Sequence, residues 1–168
     1  VRNDRVIWAS CMVSCGDADG AVTGNTRRYG ASLEKITKVI ESRPGEIMFG
    51  LNMIVSKGKT VFVGDTSVHE YPSSEQLAEI AISSARVVRL FGFDPKVAFV
   101  SHSTFGQPLT SRTKHIKNAV NILKEKNVDF KFDGDMQPDV ALNSQYKELY
   151  PFSELVGNAN ILIMPGQH

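Results

Sequence analysis

Pro95-Lys96-Val97-Ala98-Phe99-Val100-Ser101-His102-Ser103-Thr104-Phe105-Gly106 decides how the rest of the chain is read. From Val97 to Val100 it is continuously apolar, the pattern of a strand covered on both faces, as in parallel sheets. Small hydroxyl residues and a glycine follow. A strand that runs into such a loop and then into a helix is the unit from which α/β sheets are built.

The flanks supply the helices. Upstream, Ser73 with Gln76 three residues later is a capping-box signature. Leu77, Ile80, Ala81, Ser84, Val88 and Phe91 share one face of the helix it opens, and Gly92 closes that helix. Downstream, Ser111 to Lys126 sets Ile116, Ala119, Val120 and Leu123 on one side and lysines on the other, a basic side that reads as solvated. Strands are expected at Val128 to Phe132 and Asn160 to Met164. Ile47 to Val55 and Thr60 to Gly64, joined by Lys57-Gly58-Lys59, read as an antiparallel hairpin. Nearer the start, residues 5–15 read as helix stopped by Gly16, and Ala21-Val22-Thr23 as a short buried strand. Ser32 reads as the cap of a helix with the stripe Leu33, Ile36, Val39 and Ile40, terminated by Pro44-Gly45. The fold class is α/β: a mostly parallel sheet flanked by helices, with an antiparallel hairpin.

Composition narrows the function. The chain has 168 residues, 19 Lys+Arg against 18 Asp+Glu, and a formal net charge of +1. So balanced a charge argues against a nucleic-acid or anionic-membrane surface as the main business, since both need a concentrated basic field. No apolar run approaches the roughly 20 residues of a membrane span, and no signal peptide opens the chain. Cys11 and Cys15 lack a second Cys/His pair to complete a metal site and read as two reduced thiols, which points to the cytoplasm. The chain begins with Val1 and stops at His168 just after a strand-like run, so it is read as a piece of a larger protein.

Ligands of open α/β sheets bind beyond the carboxyl ends of the strands. Three such ends carry polar loops here: Asp65-Thr66-Ser67, residues 101–106, and Asp133-Gly134-Asp135-Met136-Gln137. The second reads either as backbone N–H groups facing a phosphate or acyl ligand, or as ordinary loop and cap chemistry. It is neither a Walker loop nor a dinucleotide fingerprint, because Gly106 is its only glycine. His102 can serve as an acid or base or be structural. Asp133 and Asp135 read as a turn or as a Mg²⁺ pair. Arg27 and Arg28 read as a phosphate clamp or as a solvated helix start. Arg112 and Lys114 lie near a helix start beside the second loop, where cations oppose the helix dipole unless an anion is present. His69-Glu70 has no second His at the spacing of a zinc protease.

Several longer runs go beyond generic reading. Gly64 to Glu70 with Pro72 to Ala81, Pro95 to Gly106, Asp133 to Leu142, and Gly157 to Pro165 resemble motifs of the phosphate acetyl/butaryl transferase family in gapless order. Gly16 to Gly20 and Arg43-Pro44-Gly45 also fit. Within that family the chain is similar to the C-terminal domain of long bacterial NADP-dependent malic enzymes. Ser103-Thr104-Phe105-Gly106 stands where active transacetylases typically carry Ser-Thr-Lys-Gly, and Tyr150-Pro151-Phe152-Ser153 also looks like the malic-enzyme branch. The family's Asp-x-Ser-Arg-Gly segment, which follows the Ala-Asn-x-x-x-x-Pro signature, is not reached.

The resemblance implies a three-layer α/β/α architecture like that of isocitrate and isopropylmalate dehydrogenases. Residues 1–22 would form the edge of the first lobe and residues 23–168 the central lobe, with the catalytic malic-enzyme domain and the C-terminal tail outside this chain. It implies a regulatory and oligomerising domain that binds acetyl-CoA as an allosteric effector and has no catalytic residues of its own. The parent would convert malate to pyruvate and CO2 with NADP and a divalent metal (Mg²⁺ or Mn²⁺), and would be a cytoplasmic homo-oligomer. No cofactor or metal is expected in this segment. The alternative is the central lobe of a true phosphate acetyltransferase. Loop position and resemblance together nominate Thr26, Arg27, Asp65, Thr66, Ser103, Thr104 and Gly106 as contacts to acetyl-CoA or phosphate, with Asp65 orienting its loop.

Overall fold

The computed structural model describes residues 3–106 and 110–166, and of Arg112 and Lys147 the backbone only. The chain divides into two compact units, Val1–Glu46 and Ile47–His168.

The first unit holds α1 (Arg5–Ser14) and α2 (Tyr29–Thr37). Asp4 starts α1 as its N-cap, accepting from the N–H groups of Val6 at 3.0 Å and Ile7 at 3.4 Å. The same carboxylate takes the ammonium of Lys35, so one residue ties both helices together. Two expectations fail here. Ala21 to Thr23 is not a strand: Val22 is fully exposed, and a short apolar run without a pairing partner has nothing to hydrogen-bond to. Ser32 does not cap α2. Arg28 does, without a side-chain bond, and Ser32 is buried inside the helix. The helix ends before Val39 and Ile40, so Pro44-Gly45 closes a separate turn, with the Glu46 N–H donating to the Arg43 carbonyl at 2.9 Å.

The second unit is one five-stranded sheet with its helices. In chain order it has β1 (Leu51–Ser56), β2 (Lys59–Gly64), α3 (Ser74–Leu90), β3 (Lys96–Val100), α4 (Ser111–Glu125), β4 (Lys131–Met136), α5 (Pro138–Leu142), α6 (Ser144–Lys147) and β5 (Ile161–Ile163). The spatial order is β1-β2-β5-β3-β4. β1 and β2 are the expected antiparallel hairpin, and every other pairing is parallel. The capping box of α3 is present: Ser73 Oγ accepts from Gln76 N at 3.2 Å, and Gln76 Oε1 accepts from Ser73 N at 2.8 Å.

Alternation along β3 divides the core. Val97 and Phe99 face α3 and α4, meeting Phe62, Leu77, Ile80, Val88, Ile116, Leu123, Ile161 and Ile163. Ala98 and Val100 face the other way, onto Met136, Val140, Leu155, Ala159 and Leu162. The strand is thus buried on both sides, as its unbroken apolar run requires. Phe91 lies just past α3 and is exposed, although its ring centroid stands 5.7 Å from that of Phe62.

The third polar loop is not a loop. β4 runs from Lys131 to Met136, so Val128 to Phe130 is its approach and Asp133-Gly134-Asp135 is strand. Pairing with β3 sets this register, beginning at Lys96↔Lys131. Gly134 permits it. A Cβ there would stand 2.7 Å from Phe99 Cβ and 2.9 Å from the Phe99 carbonyl oxygen, at φ +157°.

Candidate functional site

β2, β5 and β3 lie side by side and parallel, so their carboxyl ends open at the same edge. The loop leaving β2 is organised by Asp65, which is buried. Its Oδ1 accepts from the N–H groups of Gly50 (2.9 Å), Ser67 (3.0 Å) and Val68 (3.1 Å). Its Oδ2 accepts from His69 N and faces His69 Nδ1, both at 2.8 Å. Burial pushes this carboxyl up, but the N–H groups of Ser67 and Gly50, followed by His69, outweigh it and hold the pKa below the usual carboxylate value. Asp65 therefore braces the loop from within, with both oxygens taken. Thr66 is half-buried, and its N–H donates to the Gly50 carbonyl at 3.3 Å. A Cβ at Gly50 would crowd the side chains of this loop, meeting Ser67 Oγ at 2.7 Å, Asp65 Oδ1 at 3.1 Å and Thr66 Oγ1 at 3.2 Å.

The loop leaving β3 repeats the device with a different carboxylate. Ser103 is buried, and its hydroxyl donates to Oδ2 of Asp135, a residue with no exposure at all. Ser103 N donates to Ser101 Oγ at 3.3 Å, and Phe105 N to the Asp135 carbonyl at 2.7 Å. Ser103 therefore points inward; of the other nominated residues on this loop, Thr104 is half-buried and Gly106 buried. Thr104 Oγ1 accepts from Gln137 N at 3.3 Å, while Gln137 Nε2 donates to the carbonyl of His102 at 2.9 Å. Phe105 takes φ +52° and sets its ring 5.3 Å from Tyr150 and 4.8 Å from Phe152, centroid to centroid.

Asp133 and Asp135 do not make a metal pair. Asp133 Oδ2 accepts from Ser153 Oγ at 2.7 Å and Glu154 N at 2.8 Å, whereas Asp135 is committed to Ser103. Among the described residues no three His, Cys, Asp or Glu side chains come together to hold a metal ion. Cys11 and Cys15 are free thiols.

Thr26 and Arg27 belong to the first unit. There they line, with Arg5, Thr23, Gly24 and Asn25, a hollow of about 410 Å³. Arg27 sits 3.6 Å from Asp4, and Thr26 N donates to the Gly24 carbonyl at 2.8 Å. The seven nominated residues thus fall into three groups: Thr26 and Arg27 in one unit, and in the other Asp65 with Thr66 and Ser103 with Thr104 and Gly106. Sequence reasoning missed a cavity of about 270 Å³ in the second unit, lined by Tyr71, Pro72, Leu77, Ser111, His115, Ile116, Pro165 and Gly166. The i, i+4 spacing of Ser111 and His115 was the available signal. The nominated side chain of Arg112 lies outside the described residues.

The profile of the phosphate acetyl/butaryl transferase family matches residues 1–167, and the chain belongs to that family. An NADP-dependent malic enzyme of Rhizobium meliloti (strain 1021) is 45% identical over 168 residues, covering 100% of this chain and 22% of that protein. A phosphate acetyltransferase of Buchnera aphidicola subsp. Schizaphis graminum (strain Sg) is 31% identical over 164 residues, covering 96% of this chain and 23% of that protein. Among solved structures, a phosphotransacetylase from Streptococcus pyogenes superposes with a TM-score of 0.85 at 27% identity, covering 96% of this chain and 50% of that one. The chain spans less than a quarter of these curated relatives.

Proposed function

We propose that the chain is the transacetylase-like regulatory part of an NADP-dependent malic enzyme, binding acetyl-CoA as an effector without turning it over. Phe105 carries the reading. The family resemblance puts a lysine at this place in active transacetylases, and here the position holds a ring packed on Tyr150 and Phe152. A loop without that cation can still seat an acyl ligand through hydroxyls and N–H groups, but it lacks a charge for transferring phosphate. Thr66, Thr104 and Gly106 are the contacts in the second unit, and Thr26 and Arg27 are candidate contacts in the first unit, taken by itself. Asp65 and Ser103 hold the loops that present them.

The parent enzyme oxidatively decarboxylates malate to pyruvate with NADP and Mg²⁺ or Mn²⁺, using residues outside this chain, and works in the cytoplasm. The sheet follows the isocitrate/isopropylmalate dehydrogenase pattern. Homo-oligomer formation is supported by β1. It is one of the sheet's two edge strands, with Met53, Ile54 and Val55 exposed in succession and neither charge nor proline to blunt it.

The test is calorimetric titration of the chain with acetyl-CoA and with acetyl phosphate, alongside an acetyl-transfer assay. Saturable heat with acetyl-CoA and no transfer is expected. The second reading, the central lobe of a phosphate acetyltransferase, is favoured by the phosphotransacetylase likeness. It predicts binding of acetyl phosphate and transfer activity once the missing segment is restored.

A further inference from the structure

Gly106, in the loop that leaves β3, takes φ +84° and is buried. No described residue accepts its N–H. A donor left open in such surroundings is rare, because an unmade hydrogen bond is costly away from water. Lys117, on the second turn of α4, reaches the same point. Its Nζ stands 3.5 Å from where a Cβ on Gly106 would be, and its Cε 4.0 Å. Lys117 makes no hydrogen bond or ion pair with any described residue. Farther along the same helix, Lys124 meets Glu154 at 2.7 Å and Lys126 meets Glu79 at 3.5 Å. The unpaired N–H of Gly106 and the exposed ammonium of Lys117 therefore belong to neighbouring groups, and neither is paired with a described carboxylate. The start of α4 closes on itself in part through a capping box: Thr110 Oγ1 accepts from Thr113 N and Thr113 Oγ1 from Thr110 N.

We propose that Gly106 N–H and Lys117 Nζ form an anion subsite that holds a phosphoryl group in place, with Lys117 reaching the loop from α4. An ammonium beside a backbone N–H suits a phosphate oxygen, which accepts from both in charge-assisted bonds. The subsite deepens the acyl-CoA reading and rests on it for the identity of the ligand. The phosphoryl group can belong to the nucleotide end of an acyl-CoA or to a small phosphate such as acetyl phosphate.

The experiment follows the backbone amide resonance of Gly106 while inorganic pyrophosphate is titrated into the wild-type chain, Lys117→Gln and Lys57→Gln. Lys57 lies in the hairpin turn and controls for the loss of one charge. A saturable shift in wild type, weakened about tenfold in K117Q and within about twofold of wild type in K57Q, is expected. No saturable shift at Gly106 in wild type, or equal affinity in K117Q, overturns the subsite. Repeating the titration with acetyl-CoA and with acetyl phosphate assigns the source by whichever ligand moves the same amide. A Gly106 that responds to pyrophosphate in a chain that ignores acetyl-CoA keeps the subsite and removes the acyl-CoA reading.

Discussion

The hydroxyl of Ser103 donates to the carboxylate of Asp135, so a wholly buried acid on β4 holds down the loop that leaves β3. On the far side of β5, Asp65 holds its own loop with five contacts. Both acids of the site are thus spent on shape. Thr66, Thr104 and Gly106 sit on the loops that these acids hold.

Asp135→Ala leaves Ser103 buried without its acceptor, and Ser103→Ala leaves Asp135 without the donor to Oδ2 while Oδ1 already has none. Each is expected to cost about 2 to 3 kcal/mol. The double mutant should show a coupling of about 1 to 2 kcal/mol, read from urea unfolding of the four proteins. Additive losses would mean that the pair contributes nothing as a pair.

Asp65→Asn turns five donor contacts toward a neutral amide with a single acceptor oxygen, and is expected to lose about 2 to 3 kcal/mol at neutral pH. The native carboxyl is held below its ordinary value of 3.8. Its stabilisation is therefore complete above that value and disappears as pH falls through the lower folded one. Thermal melts from pH 7 downward should show the gap between wild type and D65N constant to about pH 4 and narrowing below it. A gap that widened on acidification would contradict this.

Gly134→Ala should prevent the second unit from folding, or cost it more than about 3 kcal/mol. The new Cβ meets the backbone and Cβ of Phe99 inside 3 Å, and neither can move without breaking β3. Circular dichroism and a urea melt decide it. Near-native stability in G134A would show that β4 can leave its register cheaply.

Asp4 makes an acid-sensitive joint in the first unit. The Lys35 ammonium outweighs the opposing push of burial and, helped by the N–H groups of Ile7 and Val6, lowers its pKa from 3.8 to about 2. The contribution is fully present above the unfolded value and is lost between about pH 4 and pH 2, and Asp4→Ala should remove that acid-dependent loss. Amide exchange of α1 at pH 5 and pH 2 in both proteins measures it.

The parts of this fold that were legible are those where a local signal and an apolar stripe agree. Ser73 and Gln76 announce α3, and Leu77, Ile80, Ala81 and Val88 give its buried face. The unbroken run Val97 to Val100 gives β3 its central place. Asp133-Gly134-Asp135 was misleading because its composition is that of a turn. Its extended shape depends on Ser103, 32 residues before Asp135, and Ser153, 20 residues after Asp133. No local window contains those partners. Lys117 was illegible for the opposite reason: it belongs to an ordinary row of helix-surface lysines, and only its approach to Gly106 distinguishes it.

β5 has three residues and is the last strand in chain order, yet it sits at the middle of the sheet, paired with β2 on one side and β3 on the other. Before Ile161 to Ile163 arrive, the nascent polypeptide holds two separate ribbons, β1–β2 and β3–β4, each with a raw inner edge. Closure waits on the most distant pairing available, which makes it slow and leaves those edges open to neighbours on the ribosome. A keystone inserted last makes the half-built sheet the stage of this protein's life most in need of a chaperone.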